Sequence, residues 1–173
     1  MSKLIIIRGN SGSGKSTLAK ALQHKIGRNT MVISQDMVRR EILWVRDGQG
    51  TKALALLVYL LQYGKKNCDV VILEGILDAL CYRELFESAV NEFSPDIFAY
   101  YYDLPFEETL LRHQTKPNRF DFGENEMRRW WNEHDYIGII PEKSLTKEIG
   151  LDDAVQMIYQ DVMGQKELQS AKM

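Results

Sequence analysis

At 173 residues the chain has the length of one domain, with no room for a large second one. Its 45% hydrophobic and 27% charged residues are those of an ordinary globular protein, and its longest apolar run, Ala53 to Leu61, falls far short of the ~20 residues a membrane-spanning helix needs. A net charge of −2 and a pI of about 6.0 exclude a broadly basic nucleic-acid binder, although residues 1–40 hold eight Lys or Arg against a single acid, Asp36, a local surplus suited to a polyanion.

In chain order, Leu4-Ile5-Ile6-Ile7 is a continuous apolar run, the pattern of a strand buried on both faces. Met1-Ser2-Lys3 ahead of it shows no signal-peptide pattern. A glycine-rich stretch follows, then a helix opening at Thr17 with apolar residues at 18, 21, 22 and 26. Met31-Val32-Ile33 is a second short strand ending at Ser34-Gln35-Asp36, and Met37 to Trp44 reads as a helix. Asp47-Gly48-Gln49-Gly50 is a break. Ala53 to Tyr63 is apolar on nearly all sides, as in a helix buried within a domain. Asp69 to Leu73 is a third strand, Leu80 to Phe93 an amphipathic helix, and Ile97 to Tyr102 a fourth strand. Pro105 suits the first turn of a helix that runs to about Gln114. Residues 115–123 read as a loop, Glu124 to His134 as a helix, Ser144 to Ile149 as a short strand, and Asp152 to Met163 as the last helix. Residues 165–173 are a polar tail, expected to fray. Strands alternating with helices predict an α/β fold, a mainly parallel sheet of five strands covered by helices on both faces. The two cysteines, Cys68 and Cys81, offer no disulfide framework, so a reducing cytoplasm is the expected compartment. Three histidines and two cysteines, unclustered, give no zinc pattern.

The chemistry is concentrated in Gly9-Asn10-Ser11-Gly12-Ser13-Gly14-Lys15-Ser16-Thr17, which satisfies G-x-x-x-x-G-K-[ST] between a buried strand and a helix. Glycines let the backbone curl so that successive N–H groups face one anion, and the following helix turns its positive end to the same point. Lys15 can reach the β and γ phosphates of a nucleoside triphosphate. Ser16 can ligate Mg²⁺, and Thr17 can donate to the α phosphate. The guanine-reading N-K-x-D and the transporter L-S-G-G-Q motifs are absent.

Two carboxylates fall at strand ends, where open parallel sheets bind ligands. Asp36 can accept a proton from an attacking hydroxyl, or it can cap the helix beginning at Met37. Arg39, three residues on, can hold an acceptor or offset developing charge. Glu74 can hold Mg²⁺ through water, bind the acceptor, or stand as a solvated strand-end charge. Arg128-Arg129-Trp130-Trp131 reads either as an acceptor-pocket wall or as a tryptophan pair docking its helix on the core, and core packing is the expectation.

The loop Gly9–Thr17 followed by Asp36-Met37-Val38-Arg39 resembles the P-loop kinases that phosphorylate hydroxyls, among them the chloramphenicol phosphotransferases, the polynucleotide 5′-kinases and the zeta-toxin kinases. The resemblance covers roughly residues 3 to 115. It implies a P-loop NTPase-type three-layer sandwich as residues 1–164, with a small lid at about 115–124. It implies that Asp36 is the general base and that Arg39 lies beside the acceptor. It also implies that Arg112 binds near the nucleotide phosphates and that Arg119 reaches the transferring phosphoryl group. Thr115-Lys116-Pro117-Asn118 departs from a compact arginine-rich lid. The expected activity is Mg²⁺-dependent transfer of the γ phosphate of ATP or GTP to a hydroxyl of a small molecule. The alternatives are a nucleic-acid 5′-hydroxyl kinase, which the acidic balance disfavours, and a nucleotide-binding regulatory protein that transfers nothing.

Overall fold

The computed structural model describes residues 1–117 and 119–164, so the expectation for the tail, 165–173, and for Asn118 of the lid lies outside the described residues. Five parallel strands form one sheet: β1 (Lys3–Gly9), β2 (Thr30–Ser34), β3 (Val70–Gly75), β4 (Ile97–Tyr102) and β5 (Glu142–Leu145), in the order β2-β3-β1-β4-β5. The α-helices are α1 (Lys15–Ile26), α2 (Ala53–Asn67), α3 (Arg83–Phe93), α4 (Phe106–Gln114), α5 (Glu124–Arg129) and α6 (Leu151–Met163). This is the predicted α/β architecture.

The continuous apolar runs in β1 and β3 reflect burial on both faces. Side chains alternate across a strand. Leu4 and Ile6 of β1, with Val71 and Leu73 of β3, enter a core shared with α2 and α3. Ile5 and Ile7, with Val70 and Ile72, enter the opposite core, shared with α1 and α6. All of these side chains are at most 3% exposed, and each contributes roughly 1.5–3 kcal/mol by leaving water. On the first face α2 comes unusually close to the sheet. A Cβ at Gly64 would lie 2.6 Å from Val71 Cγ2, so only glycine fits that contact.

Four elements differ from expectation. β5 is Glu142–Leu145 rather than Ser144 to Ile149, because the chain turns after Leu145, with Ile149 N–H donating to Thr146 O at 3.1 Å. Met37–Ile42 is a π-helical turn: Leu43 N–H donates to Val38 O at 3.0 Å, five residues back. α3 begins at Arg83 rather than Leu80, because the Asp78 carboxylate accepts the N–H groups of Leu80 and Cys81 in a turn. α5 stops at Arg129 rather than His134, because residue 132 is held to the loop after β1 and His134 takes a left-handed conformation with φ 49°.

Candidate active site

β1 ends in the loop Gly9–Lys15 at the C-terminal edge of the sheet. The chain folds back on itself there because Gly9, Gly12 and Gly14 take positive φ (146°, 80° and 104°). A Cβ at Gly12 would meet Thr109 O of α4 at 2.6 Å, so the loop and α4 touch at that glycine. Lys15 folds over the loop and donates to Asn10 O at 2.8 Å and to Ser13 Oγ at 3.3 Å. Burial lowers its pKa from 10.5 to about 8, against the opposing pull of the Glu74 carboxylate. Nothing in this arrangement returns the full solvation lost by the ammonium, so an incoming oxyanion is its natural complement.

The loop opens into a cleft of about 810 Å³. Ser11, Gly12, Lys15, Ser16 and Thr17 line one end, and Asp36, Arg39 and Glu74 line it too. Gly9, Asn10, Ser13 and Gly14 form the turn behind that lining. Three segments far apart in sequence therefore meet: the loop after β1, the end of β2 and the end of β3. Ser16 Oγ donates to Glu74 Oε1 at 3.1 Å, and Glu74 is buried. Asp36 makes no side-chain cap for the π-helical turn. Ser34 Oγ takes the Met37 N–H instead, at 3.5 Å, and Asp36 Oδ1 pairs with Arg39 Nη2 at 3.0 Å and Arg40 Nε at 3.6 Å. The capping alternative for Asp36 is thus set aside. Standing three and four residues on, the two consecutive arginines both reach the one carboxylate.

Arg112 lies across the loop. Its Nη1 donates to Ser13 O at 2.9 Å, and Nε pairs with Glu108 at 2.8 Å. Arg119 is placed elsewhere. Its guanidinium sits 4.6 Å from the Phe120 ring, donates to Lys116 O at 3.4 Å, and does not line the cleft. The lid residue that does line it is Lys116, whose pKa burial lowers while Glu74 and Asp36 raise it. Trp130 and Trp131 are not a core pair. Trp130 is 40% exposed and lines the cleft, while Trp131 meets Phe106 edge-on at 5.2 Å and faces a separate hollow of about 440 Å³. The physical reason is that α5 ends before them, which takes both off the helical spacing that core docking requires.

Asn10 was expected only as part of the phosphate loop, and Gln35, Asp78 and Tyr82, which also build this site, were not singled out in the sequence. The Asn10 amide brackets the backbone of Asn132, accepting from its N–H at 2.8 Å and donating to its carbonyl oxygen at 2.7 Å. Asn132 Nδ2 in turn reaches Asp78 Oδ2 at 3.3 Å in the cleft wall. Gln35 is buried and donates to the Tyr82 hydroxyl and to Asp47 Oδ2, both at 2.9 Å, bracing the cleft from behind. Burial and the Asp47 carboxylate push the Tyr82 phenol well above its ordinary pKa. Burial and Asp78 push the Cys81 thiol up to about 11, so it is no nucleophile at neutral pH. Arg8, alone among the apolar residues of β1, was the one visible signal. Fully buried, it bonds Asp135 at 2.7 Å, Glu142 at 2.9 Å and Leu77 O at 2.8 Å.

The donor set suits a small hard cation. Ser16 Oγ and a Glu74 oxygen lie 3.1 Å apart at the foot of the loop, with the Asp36 carboxylate in the same cleft. Among the described residues no cluster of three or more His, Cys, Asp or Glu could cage a metal alone. Mg²⁺ would take few protein oxygens at such a pair and complete its shell with phosphate and water.

The chain matches the model of an AAA-domain family over residues 4–132. No curated protein matches it. Among solved structures, an APS kinase of Mycobacterium tuberculosis in complex with AMPPNP and APS superposes with a TM-score of 0.68 at 20% identity, covering 94% of this chain and 98% of that one. A gluconokinase from Sinorhizobium meliloti 1021 gives 0.63 at 16% identity, covering 98% and 97%. Shikimate kinase from Acinetobacter baumannii in complex with shikimate gives 0.61 at 18%, covering 96% of each. At these identities the likeness shows the fold alone, a P-loop NTPase-type sandwich with a five-stranded parallel sheet between helices. With the family match spanning the loop, the cleft and the segment to Asn132, the chain belongs to that AAA-domain family.

Proposed function

We propose that this chain is a P-loop kinase that moves the γ phosphate of ATP, or GTP, to a hydroxyl of a small molecule. The observation that carries the reading is the meeting of phosphate-binding and proton-accepting groups in one cleft, with Lys15 and Ser16 at one end and the Asp36–Arg39 pair beside them. The three solved relatives described above, all kinases by name, share the fold that builds such a cleft.

The chain's own groups divide the work. The N–H groups of the loop and the Lys15 ammonium hold the β and γ phosphates. Ser16, with Glu74 behind it, would hold Mg²⁺, which when bound offsets phosphate charge. Asp36 accepts the proton of the acceptor hydroxyl, and that oxygen forms its bond to γ-phosphorus as the bond to the β,γ-bridging oxygen breaks, leaving nucleoside diphosphate. Arg39 keeps the Asp36 carboxylate aimed at the acceptor. Arg112 fixes the loop through Ser13 O, and Lys116 stands where a lid cation meets the moving phosphoryl group.

The test is nucleoside diphosphate release with Mg·ATP or Mg·GTP across a panel of hydroxyl acceptors, in wild type and Asp36→Asn. Acceptor-stimulated release is expected. In the variant it should fall by about 10²- to 10⁴-fold with nucleotide affinity kept. Stimulated turnover at the wild-type rate in Asp36→Asn would remove the base assignment. Tight nucleotide binding with no acceptor stimulation would favour a regulatory nucleotide binder.

A further inference from the structure

We propose that the acceptor is an anionic hydroxyl compound, and that Arg46 and Arg129 hold its acidic group. The inference rests on the phosphotransfer reading and names the substrate class of that same cleft. It comes from an asymmetry in how the charges around the cleft are satisfied.

Beyond Lys15 and Glu74 the cleft wall carries four arginines, from the segment after β2 and from α5, and three aspartates: Asp36, Asp47 and Asp78. Each aspartate is engaged by the protein itself. Asp36 takes Arg39 and Arg40. Asp47 takes the Tyr82 hydroxyl at 2.6 Å, the Gln35 amide at 2.9 Å and the N–H of Gly48 at 2.9 Å. Asp78 takes the N–H groups of Leu80 and Cys81, at 3.1 and 2.8 Å, and the Asn132 amide. The cations are not answered in the same way. The guanidinium groups of Arg46 and Arg129, both exposed, form no salt bridge or hydrogen bond among the described residues, whereas Arg39 Nε and Arg40 Nε lie 3.9 and 3.6 Å from the carboxylates of Asp47 and Asp36. The cleft lining carries seven Lys or Arg (Lys15, Lys20, Arg39, Arg40, Arg46, Lys116 and Arg129) against four acids (Asp36, Asp47, Glu74 and Asp78), and that surplus of cations favours an oxyanion.

The nucleotide phosphates have partners of their own in the loop N–H groups, Lys15 and the α1 N-terminus, which leaves these arginines for a second anion. Arg46 lies in the segment after the π-helical turn and Arg129 at the end of α5, so two separate pieces of chain contribute to the clamp. Phe122 and Trp130, edge-on at 5.2 Å, supply apolar lining for the carbon skeleton of the same molecule. A carboxylate and a phosphate monoester share the chemistry that two guanidinium groups recognise.

The experiment separates this inference from the phosphotransfer reading by measuring binding rather than turnover. With the loop saturated by Mg·ADP, glycerate, gluconate and glycerol phosphate are titrated calorimetrically against their neutral counterparts, glycerol and glucose, on wild type and on Arg46→Gln, Arg129→Gln and the double variant. ADP affinity checks the fold of each variant. The expected result is binding of at least one acidic compound, with its neutral counterpart weaker by more than about tenfold. Each single variant should lose about tenfold, and the double variant more. Comparing glycerate with glycerol phosphate distinguishes a carboxylate from a phosphate group. A neutral compound binding as tightly as its acid, or acid binding that survives in the double variant, overturns the clamp. Absence of any acidic binder at roughly 10 mM overturns it as well. Turnover of a neutral alcohol with Mg·ATP would then leave the kinase reading standing without the clamp.

Discussion

Lys15 and Asp36 show how little of a residue's behaviour is set by its type. Lys15 loses its solvation shell, and its pKa falls to about 8 although Glu74 and Asp36 pull the other way and Lys116 and Arg8 add to the fall. In the folded apo protein the lysine is therefore half deprotonated near pH 8, while in the unfolded chain that midpoint lies at 10.5. The unfolded state holds more protons between those values, so this group's contribution makes the fold more stable as pH rises through that window; at lower pH the cost of the buried charge is present in full. A bound phosphate reverses the shift, because it favours the charged form. Two outcomes are expected above pH 8: proton uptake on nucleotide binding, and affinity that falls by up to about tenfold per pH unit. Calorimetry in buffers of different ionisation enthalpy measures both, and pH-independent binding without proton uptake would contradict the assignment of Lys15 to the phosphates. The position of Lys15 in G-x-x-x-x-G-K-[ST] was legible in the sequence, but its reach to Asn10 O and Ser13 Oγ depends on a curl that three positive-φ glycines permit.

At the scale of elements, the segment from α4 to α5 departs most from what its residues suggest. Arg119 looks like the phosphoryl-contacting cation by analogy, yet its side chain lies over Phe120, and Lys116 occupies the cleft. The two sit three residues apart in a non-helical stretch, where no periodicity decides which side chain points inward. His113, through its bond to Phe122 O at 2.9 Å and its stacking on that ring at 4.5 Å, holds the segment in its present turn. If Lys116 supports phosphoryl transfer, Lys116→Met should lower acceptor-stimulated kcat by about a hundredfold, while Arg119→Met stays within about threefold. The reverse ranking would show that Arg119 swings in when the lid closes. The π-helical turn after β2 makes a related point. Asp36 pairs with Arg39 and Arg40 at the i,i+3 and i,i+4 spacings that the sequence already offers, but the five-residue hydrogen bond from Leu43 N–H to Val38 O follows from no such spacing.

For the whole molecule, Arg8 ties the active end of the sheet together. It runs from β1 to Glu142 on β5, to Asp135 in the segment before it, and to Leu77 O after β3, while Asp135 Oδ2 also takes the Ala79 N–H at 3.0 Å. The Glu142 side chain is fully buried, so removing the cation leaves that carboxylate without its ion-pair partner in a dry place. Arg8→Met should lower unfolding free energy by about 3–5 kcal/mol in urea, and adding Glu142→Gln should restore part of it. A loss within the ordinary surface range of about 0.5 kcal/mol would mean that the network adds nothing to the fold. Asn10 and Asn132 extend the same tie from the phosphate loop to the cleft wall.

The sequence by itself determined the class of fold and the phosphate loop. Apolar runs of fixed period need only local burial to become strands and helices, and the loop is a contiguous motif whose glycines, lysine and serine act within a few residues of one another. The meeting of that loop with Asp36 and Glu74 was legible in outline, because strand ends of a parallel sheet share one edge. Only the tertiary structure decided the rest. Lys116 rather than Arg119 faces the cleft, Trp130 lines it instead of the core, Asn10 grips Asn132 across 122 residues, and Arg46 and Arg129 are left with unspent donors. Each depends on which side chains from distant segments arrive at the same few ångströms, and on which of them find their charges already answered there; no one-dimensional spacing encodes either.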